Sequence, residues 1–152
     1  MNWIIKRSKK LKFHTNLRSL IIPIWDDVRS FNWLISDLEF MSSDPVPLNY
    51  DHDYFILSPE EFNVLAHADV QIIWGVISGV PATQLMEIDE NNMPYTDGND
   101  LVWKDGNIQQ KQAVIEVVCF DSGYSIIKFK SKDLSTKFKN YFDEAIELEK
   151  FR

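Results

Sequence analysis

Asp51-His52-Asp53 sets two carboxylates two positions apart around an imidazole. Alternate residues of an extended segment share a face, so both carboxylates can grip one cation or a basic protein surface. Two carboxylates alone fall short of a calcium or magnesium site, and the three histidines of the chain show no zinc-ligand spacing, so no metal or other cofactor is expected. A solvated strand entry and a contact for a basic partner remain. For acid/base catalysis, Asp51, His52 and His67 are the one grouping available, but His67 at a helix end is accounted for by the helix dipole. His14 stands among Lys9, Lys10, Lys12 and Arg18 without an orienting carboxylate. Cys119 lies in the apolar run Val117-Val118-Cys119-Phe120, where a thiol packs as a small hydrophobe. No nucleophile elbow, phosphate loop, dinucleotide fingerprint or metalloprotease signature occurs, so no catalytic residue is assigned.

A second grouping suits binding better. Between Asp89 and Gly106 the chain turns to Asn, Asp, Gly and Pro, with Met93, Pro94, Tyr95, Asp97, Asp100, Trp103 and Asp105 among them. Aromatic side chains supply desolvated contact area at a protein interface, and carboxylates pair with Lys or Arg and speed encounter. The competing reading turns Tyr95 and Trp103 inward to pin the loop, leaving the Asp residues outside in either case.

The charge distribution points the same way. Residues 1–25, 26–105 and 106–152 carry formal charges of +6, −14 and +1, for a net charge of −7. An anionic middle of this strength attracts cationic surfaces and repels phosphate. The tract Lys6-Arg7-Ser8-Lys9-Lys10-Leu11-Lys12, flanked by Trp3 and Phe13, is dense enough to touch nucleic acid. The field of the remainder opposes that use, so neutralisation within the molecule or plain solvation is expected and nucleic acid is not.

The elements that must position these residues follow from local pattern. Apolar residues from Leu17 to Phe31 recur at helical spacing, but Pro23 would remove a hydrogen bond inside one helix, so a helix starting near Pro23 is expected. Asn32–Phe40 reads as a strand ending at Ser42-Ser43-Asp44-Pro45, and Tyr54–Leu57 as a second. Ser58-Pro59-Glu60-Glu61 has the cap, the first-turn proline and the capping box of a helix reaching about His67. Val70–Ser78 is apolar enough to be a central strand covered on both faces, ended by Gly79-Val80-Pro81. Ala113–Phe120 and Tyr124–Lys130 form a hairpin across Asp121-Ser122-Gly123, where the glycine can supply a positive φ. From Lys132 onward, Leu134, Phe138, Tyr141, Phe142, Ala145 and Ile146 make one face of an amphipathic C-terminal helix.

Together these predict one α+β domain over residues 1–152, mainly an antiparallel sheet with helices on one side. The length supports a sizeable core, and 45% apolar content excludes a disordered chain. A lone cysteine favours a reducing compartment, no signal peptide is evident, and the apolar runs are too short to span a bilayer. A cytoplasmic protein without membrane contact is expected.

The run Trp74-Gly75-Val76-Ile77-Ser78-Gly79-Val80-Pro81, the turn Phe120-Asp121-Ser122-Gly123-Tyr124 and the charged C-terminal helix resemble the small acidic α+β immunity proteins that bacteria make against polymorphic or contact-dependent toxins. The resemblance implies tight, neutralising binding of a cognate toxin, often a cationic nuclease, in the cytoplasm. Asp51, Asp53, Tyr95, Asp97, Asp100, Trp103 and Asp105 are the expected contacts. A small enzyme with an acid/base site would instead gather Asp51, His52 and His67 in a deep pocket, and an adaptor subunit would show a large apolar patch.

Overall fold

The computed structural model describes residues 1–151. Seven strands form one sheet in the order β3-β2-β4-β5-β6-β1-β7, and each neighbouring pair is antiparallel. They are β1 Trp3–Ile5, β2 Asn32–Ser42, β3 Tyr54–Leu57, β4 Val70–Val80, β5 Ile115–Phe120, β6 Tyr124–Phe129 and β7 Ile146–Glu147. The helices are α1 Leu17–Ile21, α2 Trp25–Val28, α3 Pro59–His67 and α4 Lys132–Tyr141. This is the expected α+β architecture. Among the described residues, no helix is long and apolar enough to cross a membrane.

Strand register divides the core. On one face Ile35, Ile77, Val117, Ile127 and Trp3 stand opposite one another across five strands, and the helices close over them with Leu20, Phe62 and Phe138. On the other face the corresponding row is Ser36, Val76, Val118, Ile126 and Ile4. Among the described residues no regular helix covers that side; the segment between β4 and β5 folds back across it, bringing Val102 and Trp103 onto Val118 and Ile126. The near-continuous apolar character of β4 is thus explained by cover on both faces, one helical and one a loop.

Several local expectations were met and others are corrected. Ser58 accepts from the Glu61 N–H at 3.2 Å while Glu61 accepts from the Ser58 N–H at 2.8 Å, completing the capping box of α3. A 3₁₀ helix, Ile22–Ile24, does start near Pro23 and leads into α2, but helical structure also precedes the proline, in α1, which is capped by Asn16. Four-residue backbone bonding cannot run through the missing N–H, so the helical pattern breaks into three short turns. In the β5–β6 hairpin the positive φ falls on Asp121 (49°) and Ser122 (51°) and not on Gly123.

The C-terminal helix also ends earlier than its periodicity suggests. Phe142 leaves helical geometry at φ −101°, ψ 79°, and Lys139 donates to the carbonyls of Asp143 and Ala145 beyond it. Phe142 and Ala145 remain buried, but Ile146 belongs to β7, an edge strand on β1, and is exposed. The N-terminal residues Trp3–Ile5 form an interior strand between β6 and β7, although three residues are too few for a sequence period to announce.

Candidate functional site: an acidic groove on the loop-covered face

The bulge in β2 is the first element of the site. Register against β4 shifts between Ser36 and Glu39 and again before Phe40, and Asp37 adopts φ 52°. A non-glycine residue in this region is uncommon, with Asp and Asn tolerating it best, and a bulge re-aims side chains at the place where pairing is interrupted. Asp37 accepts from the Thr96 N–H at 2.7 Å and from the Thr96 hydroxyl, while the Ser36 hydroxyl donates to the Pro94 carbonyl at 2.8 Å. Two consecutive β2 side chains therefore anchor residues 94–96.

Gln109 holds the same stretch from the opposite side. Its side-chain oxygen accepts from the Tyr95 N–H at 3.0 Å and from Asn99 at 2.9 Å, and its amide nitrogen donates to the Tyr95 carbonyl at 3.2 Å. The Gln109 N–H in turn donates to Glu116 Oε2 at 2.7 Å. Glu116 and Lys128 face one another in register, 3.6 Å apart and fully buried, and Lys128 donates to the Leu101 carbonyl at 2.9 Å. Burial pushes the Glu116 carboxyl up and pulls the Lys128 ammonium down; each partner's charge only partly offsets that cost.

What these anchors enclose is an open groove of about 640 Å³. Its carboxylates are Asp37, Glu39, Asp53 and Asp97, its rings are Tyr50, Trp74, Tyr95 and His52, and among the described residues no Lys or Arg lines it. Tyr50 stacks on Phe40 at 4.9 Å and donates to the Phe40 carbonyl at 2.5 Å, so a largely exposed ring is held in one place. Trp74 packs edge-on against Phe120 at 4.7 Å with part of its surface free. Such a surface favours Lys or Arg by charge and by the faces of its rings.

The groove joins the two loop regions singled out from sequence. Asp53, Tyr95 and Asp97 line it, and Asp51 is exposed beside it in the chain. Asp100, Trp103 and Asp105 lie farther along, in or just after a 3₁₀ turn, Asp100–Trp103. Asp100 is exposed, and Asp105 stands 3.9 Å from the terminal amine of Met1. Trp103 turns inward, 4.8 Å from Phe120 and stacked on Phe151 at 6.2 Å, whereas Tyr95 stays out.

No family model, curated protein or solved structure matches the chain. Function therefore rests on the molecule's own geometry. His52 and His67 line different cavities: His52 faces the acidic groove, while His67 meets the Trp25 ring at 5.1 Å and hydrogen-bonds the Asn63 carbonyl through Nδ1. Asp51, His52 and His67 are thus not gathered into one pocket.

A larger cavity, about 770 Å³, is lined by the basic tract, Leu11, Phe13, Asp143 and Glu144. Its own cations are partly answered: Lys10 lies 3.5 Å from Asp143, and Lys12 reaches Asp69 at 2.7 Å. We favour the smaller acidic groove because its charges all have one sign, leaving a field for a partner to meet. Sequence reasoning missed Asp37, Glu39, Tyr50 and Trp74 as groove residues. Acidic residues inside a strand, where they are depleted, were the available signal.

Proposed function

We propose that this protein is an immunity protein that neutralises a cognate bacterial toxin by covering a basic active site. The observation that carries this reading is the groove itself: four carboxylates and three tyrosine or tryptophan rings converge from separate segments, with no cation among the described residues that line it. Carboxylates would capture the toxin's Lys and Arg side chains and raise the rate of encounter, while Tyr50, Trp74 and Tyr95 would supply contact area at little entropic cost. A cationic nuclease is the fitting toxin class, because a site built to hold phosphate presents positive charge to the acidic groove. Inhibition of this kind requires no chemistry from the inhibitor. A buried, unpaired Cys119 is compatible with action in the bacterial cytoplasm.

The test is capture of the tagged protein from its native host, followed by co-expression of the captured partner with wild type or with Asp53→Lys/Asp97→Lys. A basic partner that is toxic alone, harmless with wild type and toxic again with the double variant supports the reading. A partner without toxicity, or one neutralised equally by both, overturns it.

A further inference from the structure

Among the described residues the outer edge of β3 is unpaired, because β3 ends the strand order and bonds only to β2. Sheet edges are commonly blunted by lysine, proline or a bulge, since free N–H and C=O groups invite another strand. Tyr54-Phe55-Ile56-Leu57 has none of these. Phe55 and Leu57 are buried on the helical side; Ile56 points to the loop-covered side, where it is 53% exposed beside the buried Leu34. By contrast the opposite edge, β7, offers only two residues.

Charge decides what can occupy this edge. Asp51 and Asp53 precede it and Glu60 and Glu61 follow it, with no Lys or Arg between residues 51 and 61. An antiparallel pairing of two copies would bring the Asp51–Asp53 end of each toward the first turn of the other's α3, where Glu60 and Glu61 lie, and a parallel pairing would set Asp53 against Asp53. Like charges opposed across strands are destabilising, so both self-pairings are disfavoured. A strand with basic ends meets the opposite situation.

We propose that the β3 edge accepts an extended segment of the partner, an apolar-centred strand flanked by Lys or Arg. Main-chain hydrogen bonds hold the segment, Ile56 contacts its alternate side chains, and the flanking cations meet the carboxylates at either end. The inference rests on the basic-partner reading above and adds how that partner is gripped.

The probe is an acetylated peptide of alternating valine and threonine with two lysines at each end, compared with the same peptide N-methylated on alternate amides. Amide exchange in the intact protein should slow about tenfold at Tyr54–Leu57 with the first peptide and be unchanged with the second. Ile56→Lys should abolish the effect while leaving the fold intact, because the side chain is half exposed. No protection of β3, or equal protection by the methylated peptide, overturns the proposal. Changes confined to Trp74, Tyr95 and Asp97 overturn edge pairing while leaving a basic partner for the groove. A β3-dependent dimer in sedimentation, abolished by Ile56→Lys, overturns the charge argument.

Discussion

Glu116 and Lys128 stand 3.6 Å apart in register on β5 and β6, both fully buried, and each holds a different end of the loop that covers them. Lys128 fixes the Leu101 carbonyl and Glu116 the Gln109 N–H, so one ion pair clamps the 101–109 segment to the sheet. Removing one partner leaves the other charge buried and uncompensated, which costs about 3–5 kcal/mol. Glu116→Leu and Lys128→Met should each be destabilising on that scale in urea unfolding. The double variant should recover a substantial part of the loss, and a strictly additive double variant would disprove the pairing.

The same pair predicts a direction with pH. Burial raises the Glu116 carboxyl above its ordinary 4.5, so between that pH and the raised value the folded chain keeps a proton that the unfolded chain has lost, and the ion pair forms above it. Its contribution to stability is therefore fully present at low pH and declines as pH rises from the ordinary carboxylate range through the raised value. Unfolding free energies of wild type and Glu116→Gln, compared from about pH 4 to 8, should show the wild type losing ground as pH rises. A difference that moves the other way would show that the ion pair outweighs desolvation.

Gly79 faces the helical side of β4, where an added Cβ would lie 2.6 Å from Ile115 Cγ2 and 2.8 Å from Trp33 Cη2. Trp33 cannot easily give way, because it is stacked on Phe62 at 3.9 Å and fully buried. Gly79→Ala should cost about 1–3 kcal/mol, the usual scale for overpacking a filled core. Thermal unfolding measures it, and an unchanged midpoint would mean that the Trp33 site is looser than its contacts indicate.

Cys119 is fully buried and its thiol is pushed up to about 12 by desolvation. The thiolate is the reacting form, so a water-soluble disulfide reagent should leave the native protein unmodified at pH 8 and label it on unfolding in urea. Rapid labelling of the native state would show that β5 opens far more readily than a central strand should.

In the groove, Asp53→Lys and Asp97→Lys should slow association with the basic partner by about tenfold or more at low salt and flatten its salt dependence. Dissociation should change less, since steering acts before docking. Stopped-flow binding at several ionic strengths separates these effects. Equal rates for wild type and variants would place the partner elsewhere.

Sequence alone determined the features whose cause is local. The α3 cap, the span of β3, the hairpin and the central, doubly covered β4 all depend on neighbours within a few residues or on a run of apolar character. The split of charge was legible too, as was the pairing of carboxylates and aromatics in the regions that meet at the groove. Only tertiary structure decided what depends on partners far along the chain. Trp3–Ile5 becomes a strand because β6 and β7 supply its hydrogen bonds, and α4 yields to β7 because β1 offers an edge that helical periodicity cannot reveal. Glu116 and Lys128 look like ordinary strand charges until register puts them opposite one another beneath the loop. Asp37 joins the groove because a bulge turns it toward Thr96, fifty-nine residues away in the chain, and Trp103 turns in because Phe120 and Phe151, distant in sequence, supply its packing, while Tyr95 stays exposed.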